Sequence, residues 1–370
     1  MTIRALLVDD EPPARARLRA MLDRIDGLQI VGEASNGVEA VEQIGATRPD
    51  LVFLDVEMPG LSGIQVAASL APPRPAIVFC TAYDRYAIPA FDHHATDYVL
   101  KPVQAARLER TIARVRETLA HEATLRGELE AATDTQRRLL PQRLPEMRTL
   151  DYAGSCRPAK EVGGDYYDFL ALDDGGLGLA LADVSGKGIF AALLSASLQA
   201  KVQALAPHYE RVDQLVGQIN RMTHASIAAN RYATMFYGRY DDETRALDYV
   251  NAGHLPPIVV RRGARPGETR IERLAPSGTV VGLLAEARYR RRRIALRPGD
   301  LFCIFTDGLS ETRDAAGEEF GCTRLERLLT AHSAESDAER VTSAIRDELD
   351  AFAGARTRED DLTWIVGCVR

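Results

Sequence analysis

Two sets of carboxylates carry the chemistry open to this sequence. In the first, Asp9 and Asp10 follow the apolar run 3–8, and Asp55 ends "LVFLD" in the run 50–55. Thr81 follows the run 75–80, and Lys101 follows 97–100. These β-rich runs, with another at 28–33, alternate with helix-compatible segments such as 12–25 and 36–46. Such alternation predicts a parallel α/β sheet. Ligands of an open parallel sheet bind beyond the carboxyl ends of its strands, so the five polar residues converge there. Three clustered carboxylates repel one another unless a hard cation sits among them, and Mg²⁺ suits oxygen ligands. The Lys101 ammonium adds a second positive charge, and the Thr81 hydroxyl can contact an added anion. This is a place to put a phosphoryl group on a carboxylate, with Asp55 as nucleophile. His93 and His94 are side candidates on what reads as a solvated helix.

The second set begins in "EVGGDYYDFLALDDGGLGLALADVSGKG", residues 161–188. Asp165 and Asp183 fall at the same edge of a predicted hairpin whose turn is "LDDGG". "TDG" (306–308) adds Asp307 after the strand "LFCIF", and "EDDLT" (359–363) adds Asp360 and Asp361 before the strand "LTWIV". Carboxylates without histidine or cysteine choose Mg²⁺ or Mn²⁺ over zinc. Enough of them for two cations suggests a two-metal site, which activates water for in-line attack on phosphorus. The glycines of "DVSGKG" let backbone carbonyls come close enough to act as ligands. The alternative for each acid is a turn residue, as in "DDGG" at 173–176. His254 in "NAGH" reads as a structural turn, since metals already supply a nucleophile. The basic run "RYRRRR" (288–293) reads either as a solvated edge strand or as a docking patch for an acidic partner.

The elements that must position these residues belong to a chain of 370 residues, a length that predicts two or three domains. With 46% hydrophobic and 27% charged residues, sizeable cores can be buried. A net charge of −7 argues against nucleic acid as the main partner. Five cysteines without a C-x-x-C pair fit a reducing compartment and no zinc site. The N-terminus lacks a signal-peptide pattern, and no apolar run approaches the ~20 residues that span a bilayer. The expectation is a cytoplasmic protein with neither membrane nor nucleic acid as partner. Between Pro102 and Pro141 the chain reads as a long helix. Leu108, Ile112, Val115 and Leu119 recur at four-three-four spacing, a coiled-coil seam. The phase fails at Glu122 and Arg126 and resumes through Leu125, Leu129, Ala132 and Leu139. A solvated connecting helix is the other reading. Beyond it, strands with turns and helices at 187–206, 211–229 and 336–352 predict an α+β layered domain.

Residues 1–120 resemble a response-regulator receiver domain through "VDDE", "LDVEMPGLSG" and "TAYDRYAIPAFDHHATDYVLKP". The resemblance implies a flavodoxin-like fold with one Mg²⁺, ligated by Asp10 and Asp55 with Asp9 nearby. Asp55 is then the phosphoacceptor, Lys101 contacts the phosphoryl group, Thr81 and Tyr98 form the switch, and a cognate histidine kinase is the donor. The stretch 81–102 is most similar to receivers that carry a DNA-binding output domain, and no basic recognition helix is present here. Residues 145–370 resemble the SpoIIE- and RsbU-like branch of the metal-dependent (type 2C) protein phosphatases. "EVGGDYYD", "ADVSGKG", "ATMFYGRYD", "YVNAGHLPP", "FTDGLSE" and "DDLT" carry that likeness. It implies an α-β-β-α sandwich with two Mn²⁺ or Mg²⁺. Asp183 bridges them and Val184 gives its carbonyl. Asp165 completes one site, and Asp307 and Asp360 complete the other. Asp361 is not a direct ligand, and Asp168 has a supporting role. No arginine matches the phosphate-binding residue of the eukaryotic enzymes.

The expected organisation is a receiver at 1–118, a helical coiled-coil linker at 119–144 and a phosphatase at 145–370. The expected function is hydrolysis of phosphoserine or phosphothreonine on a partner protein, an anti-sigma-factor antagonist by resemblance. Asp55 phosphorylation would regulate it through the linker, in a homodimer. The competing readings are a non-catalytic adaptor on a phosphatase-like scaffold and, more remotely, a transcription factor.

Overall fold

The computed structural model describes residues 2–82, 95–227, 230–263, 268–356 and 358–370. His93 and His94 lie outside them. The chain separates into two compact units, 1–128 and 129–370.

In the first unit, strands Ile3–Val8 (β1), Leu28–Ala34 (β2), Leu51–Asp55 (β3), Ala76–Thr81 (β4) and Asp97–Leu100 (β5) form one parallel sheet in the order β2-β1-β3-β4-β5. That is the flavodoxin-like order, with its switch point between β1 and β3. β3 is buried at every position, as a central parallel strand covered on both faces must be. Leu6, Val52, Leu54 and Phe79 fill one face of the sheet; Leu7, Phe53, Val78 and Val99 fill the other. Helices Pro12–Leu22 (α1), Gly37–Thr47 (α2) and Gly63–Ser69 (α3) come after the first three strands. Asn36 caps α2 by accepting from Glu39 N, and Ser62 and Gln65 form a capping box on α3.

Helix Ala105–Leu139 (α4) covers the predicted linker 119–144 as far as Leu139. The first part of the seam has a different job from the one its spacing suggests. Leu108, Ile112 and Val115 are buried in the first unit's own core, with Leu119 packed against it. A stripe facing a sheet and a stripe facing another helix share the same three-four spacing. From residue 121 to 128 every position is exposed.

The second unit holds two five-stranded antiparallel sheets. One has the order β13-β10-β9-β8-β7, from Arg292–Ala295, Ala246–Ala252, Ala233–Asp241, Leu177–Val184 and Tyr166–Ala171. The other has the order β12-β11-β14-β15-β6, from Thr269–Arg273, Ile258–Arg262, Leu301–Phe305, Leu362–Val369 and Leu150–Arg157. Tyr152, Phe169, Leu179, Phe236, Phe302 and Ile365 pack in the core between the sheets. Helices Ile189–Leu205 (α5) and Val212–Ser226 (α6) cover the first sheet's outer face. Helices Gly321–Ala331 (α8) and Ala338–Ala353 (α9) cover the second's, while the short Asp307–Glu311 (α7) starts at the acid after β14. The result is a four-layer α-β-β-α sandwich.

The hairpin predicted around "LDDGG" forms as β7 and β8. α8 is not among the predicted helices, although Leu325, Leu328 and Leu329 follow the three-four spacing of a helix with one apolar face. The segment Ile189–His208 is long and apolar enough, by length and composition, to cross a membrane. That differs from the expectation that no run approaches such a length. In the fold its Leu194, Leu198 and Val202 are core residues.

Candidate metal centres

The first centre lies where the parallel sheet delivers its strand ends. Asp9 comes just after β1 and Asp55 ends β3, the two strands flanking the switch point. Both are buried; Asp10 stands more open. Carboxylate oxygens of the three lie within 4.8 Å of one another, the one such trio among the described residues. Lys101 Nζ is 2.6 Å from Asp55 Oδ2 and 2.6 Å from Asp9 Oδ2. Burial pushes the Asp55 carboxyl above its ordinary range, against the pull of Lys101. Burial also works against the Lys101 charge, but its contacts with Asp55 and Asp9 outweigh it and push the ammonium up to about 12. One ammonium among three acids leaves negative charge that a divalent cation balances, so the donor set fits Mg²⁺. Thr81 is buried at the end of β4, beside β5.

Tyr98 sits on β5, and Arg107 of α4 donates to its carbonyl at 2.6 Å and lies 5.7 Å from its ring centre. The neighbouring Asp97 is buried and ties β5 to α4. It accepts from Thr111 Oγ1 at 2.8 Å and from Arg107 at 2.7 Å. Sequence reasoning passes over Asp97, although a carboxylate opening a strand ahead of an Arg-rich helix is a visible signal.

The second centre explains why two acids share a hairpin edge. Tyr166 pairs with Ala182, so Asp165, just before β7, stands level with Asp183 near the end of β8. Phe305 pairs with Trp364, and Thr306 N donates to Thr363 O, so Asp307 emerges beside the segment that carries Asp360 and Asp361. The sheets are joined at this edge: Thr306 Oγ1 donates to Asp165 Oδ2 at 2.9 Å. Close approach needs glycine. A Cβ on Gly308 would lie 2.1 Å from Asp361 O, and Gly186, in the turn after Asp183, has φ 101°. A Cβ on Gly164 would meet Val184 O at 3.2 Å, which places that carbonyl beside the Asp165 loop.

The acids of this edge act on one another. Burial, then Asp183, raises Asp165 well above the ordinary carboxylate range. Burial, then Asp307, Asp360 and Asp361, pushes Asp183 up to about 7. Burial and Asp360 raise Asp307. Uncompensated buried acids call for cations, and the donor set is oxygen alone, which fits Mg²⁺ or Mn²⁺. Lys187 Nζ is 2.8 Å from Asp360 Oδ2. A cavity of about 140 Å³ opens next to it, lined by Lys187, Gly308, Arg313, Arg356, Arg358 and Asp360. Cations that sequence matching could not assign therefore border the acids.

Two further residues hold the arrangement. Asp361 accepts from Ala159 N (2.8 Å), Gly164 N (2.6 Å) and Asp165 N (3.4 Å), so it pins the loop that presents Asp165. Gln136 of α4 grips the same loop: its Nε2 donates to Gly163 O at 2.7 Å, and its Oε1 accepts from Gly163 N at 3.0 Å. Asp168 is buried and accepts from Gln203 at 2.8 Å and from Phe169 N at 2.9 Å. His254 is buried too; its Nδ1 meets Thr234 Oγ1 at 2.8 Å and its backbone N–H donates to Asn251 Oδ1 at 2.9 Å. Burial lowers its imidazole to about 4, so it is a neutral turn residue.

A family model described as response regulator receiver domain matches residues 5–113, and one described as stage II sporulation protein E (SpoIIE) matches 173–370. Asp183, Asp307 and Asp360 fall within the second match; Asp165 precedes it. Transcriptional regulatory protein BtsR of Escherichia coli (strain K12) is 52% identical over 116 residues, covering 31% of this chain and 48% of that protein. The chain thus spans about half the length of the curated relatives it matches. The solved RsbU and RsbW domains of Rv1364c from Mycobacterium tuberculosis align at 26% identity and TM-score 0.53, covering 61% of this chain and 62% of that one. The SiaA-PP2C domain of Pseudomonas aeruginosa shares the fold at 22% identity and TM-score 0.58, covering 68% and 99%. With a matched region that exceeds half its length, the chain belongs to the SpoIIE family of type 2C phosphatase domains, here preceded by a response-regulator receiver domain.

Proposed function

We propose that the chain is a response regulator whose output is metal-dependent hydrolysis of phosphoserine or phosphothreonine on a partner protein. The observation that supports this reading is that strand register and the Thr306–Asp165 hydrogen bond bring Asp165, Asp183, Asp307 and Asp360, from four separate segments, to one edge of the two sheets, near enough for Asp183 to raise Asp165 and for Asp307 and Asp360 to raise Asp183. Degenerate scaffolds lose such acids, and this chain keeps all four, which favours an enzyme over an adaptor.

In this reading Asp183 and Val184 O, with Asp165, Asp307 and Asp360, would hold two cations. The cations, Mn²⁺ or Mg²⁺, supply Lewis acidity and a nucleophile from water at neutral pH. Thr306 fixes the rotamer of Asp165, and Asp361 fixes its loop. Lys187 and the arginines beside it bring positive charge to where the substrate's phosphoryl group enters. In the receiver, Asp9, Asp10 and Asp55 would hold one Mg²⁺. The Asp55 carboxylate takes a phosphoryl group from a cognate histidine kinase, Lys101 neutralises it, and Thr81 and Tyr98 respond. Residues 1–118, 119–144 and 145–370 serve as receiver, linker and phosphatase. The helical linker pairs with a second copy as a coiled coil in a homodimer.

The substrate class rests on likeness to the solved RsbU and RsbW domains, which suggests a phosphorylated anti-sigma-factor antagonist in the cytoplasm. The test is phosphate release from matched phosphoserine, phosphothreonine and phosphotyrosine peptides with Mn²⁺, with and without beryllofluoride on the receiver. The reading expects release from the first two only, at a rate that beryllofluoride changes. Equal release from all three, or none, contradicts it.

A further inference from the structure

The run 288–293 lies at the free end of the first antiparallel sheet, where β13 has β10 as its neighbour in the strand order. Its backbone is pinned: Tyr289 is buried, and Arg290 N donates to Ser277 O at 2.9 Å. The next side chains, Arg290, Arg291, Arg292 and Arg293, are all exposed. An edge strand that only needs protection from self-association can carry its charges on one face, because side chains alternate. Here Arg292 and Arg293, the first two residues of β13, put charge on both faces, Arg290 and Arg291 lead into the strand, and burial begins only at Ile294.

Little within the fold neutralises it. Asp248 on β10 lies 3.3 Å from Arg293 and 3.9 Å from Arg291. Arg290 and Arg292 have no ion pair among the described residues. In a chain of net charge −7 this edge is a local reversal of sign.

We infer that the β13 edge, with Arg290 and Arg292, is a docking strand for an acidic, extended segment of the phosphoprotein substrate; this rests on the phosphatase reading above. The free edge offers backbone groups to an added strand, and guanidinium groups take carboxylates in paired hydrogen bonds. A nucleic acid or a lipid surface would instead meet the rest of a negatively charged chain. β13 is three strands from β8 and about four residues along from the level of Asp183. That separates the edge from the metal acids by roughly 20 Å. A flexible tether of about twelve residues has that reach, so docking can raise the local concentration of a phosphoresidue at the acids without touching them.

The experiment uses the full chain with Mn²⁺. A phosphoserine peptide is joined by a twelve-residue Gly/Ser tether to an eight-residue strand alternating Glu and Val. The control strand alternates Gln and Val. The Glu peptide should be turned over with kcat/KM about tenfold higher. The gain should vanish in Arg290→Glu/Arg292→Glu and in high salt, and survive largely in Arg290→Lys/Arg292→Lys. Turnover of p-nitrophenyl phosphate should be equal in all three proteins. Amide exchange should slow at 290–295 when the Glu strand binds. Equal kcat/KM for the Glu and Gln peptides, or a gain that survives charge reversal, overturns the proposal. So does a preference of this run for phosphatidylserine vesicles over the Glu strand. If no phosphoester is hydrolysed, the phosphatase reading fails separately. The docking edge is then judged by fluorescence anisotropy of the labelled Glu strand alone, which must bind the wild type and not the reversed variant.

Discussion

Single side chains set both centres, and their partners give distinct expectations. Asp55→Asn should not gain mass from acetyl phosphate in Mg²⁺, whereas the wild type should gain one phosphoryl group; equal modification of both places the acceptor elsewhere. Asp97 tests stability. Burial disfavours its charge, but hydrogen bonds from Thr111 and Arg107 outweigh that and hold it below the ordinary carboxylate range. A depressed acid adds stability that is fully present above the unfolded value of about 4 and is lost as pH falls through the folded value. Asp97→Asn should therefore destabilise the receiver by about 2–3 kcal/mol at pH 7 and flatten its stability between pH 5 and 3, read by urea unfolding. Unchanged acid sensitivity would deny Asp97 that role. Asp361→Asn keeps the size but loses charge on the loop that presents Asp165. It should weaken Mn²⁺ binding about tenfold or more, as outer-sphere partners do, measured by calorimetry.

Among the elements, α4 is the one whose sequence reads two ways. Leu108, Ile112, Val115 and Leu119 look like a helix–helix seam, yet they pack on the receiver sheet. Periodicity reports that a helix has an apolar face and is silent on what covers it. The strand ends were legible because parallel and hairpin topologies bring polar residues that end strands to one edge, so Asp9, Asp55, Asp165 and Asp183 could be placed from spacing. Asp361, Gln136 and the arginines at 313, 356 and 358 were not legible. Their roles depend on contacts across the fold, such as Gln136 with the Gly163 backbone. That contact suggests how a helix could set the Asp165 loop. One residue inserted near Glu122 rotates the rest of the helix by about 100° and advances it ~1.5 Å, while seven nearly restore the phase. The one-residue insertion should uncouple phosphatase rate from beryllofluoride, and the seven-residue insertion should largely keep coupling. A tenfold change needs only about 1.4 kcal/mol between two states. Identical behaviour of the two insertions would make α4 a passive tether.

At the scale of the whole molecule, the proposed reading gives one chain two sites for phosphorus chemistry, one to accept a phosphoryl group and one to remove it. In the second, buried acids raise one another's proton affinity, the state expected of a site built to hold divalent cations. The measurement that bears most directly on this account is hydrolysis of p-nitrophenyl phosphate by wild type and Asp183→Asn, with thermal unfolding of each with and without Mn²⁺. The wild type should hydrolyse the ester only with the metal, and Mn²⁺ should raise its unfolding temperature. Asp183→Asn should fold, lose the Mn²⁺ stabilisation and lose activity by about 10³-fold or more. Substantial hydrolysis by the folded variant, or by the wild type in chelator, would contradict the two-metal reading.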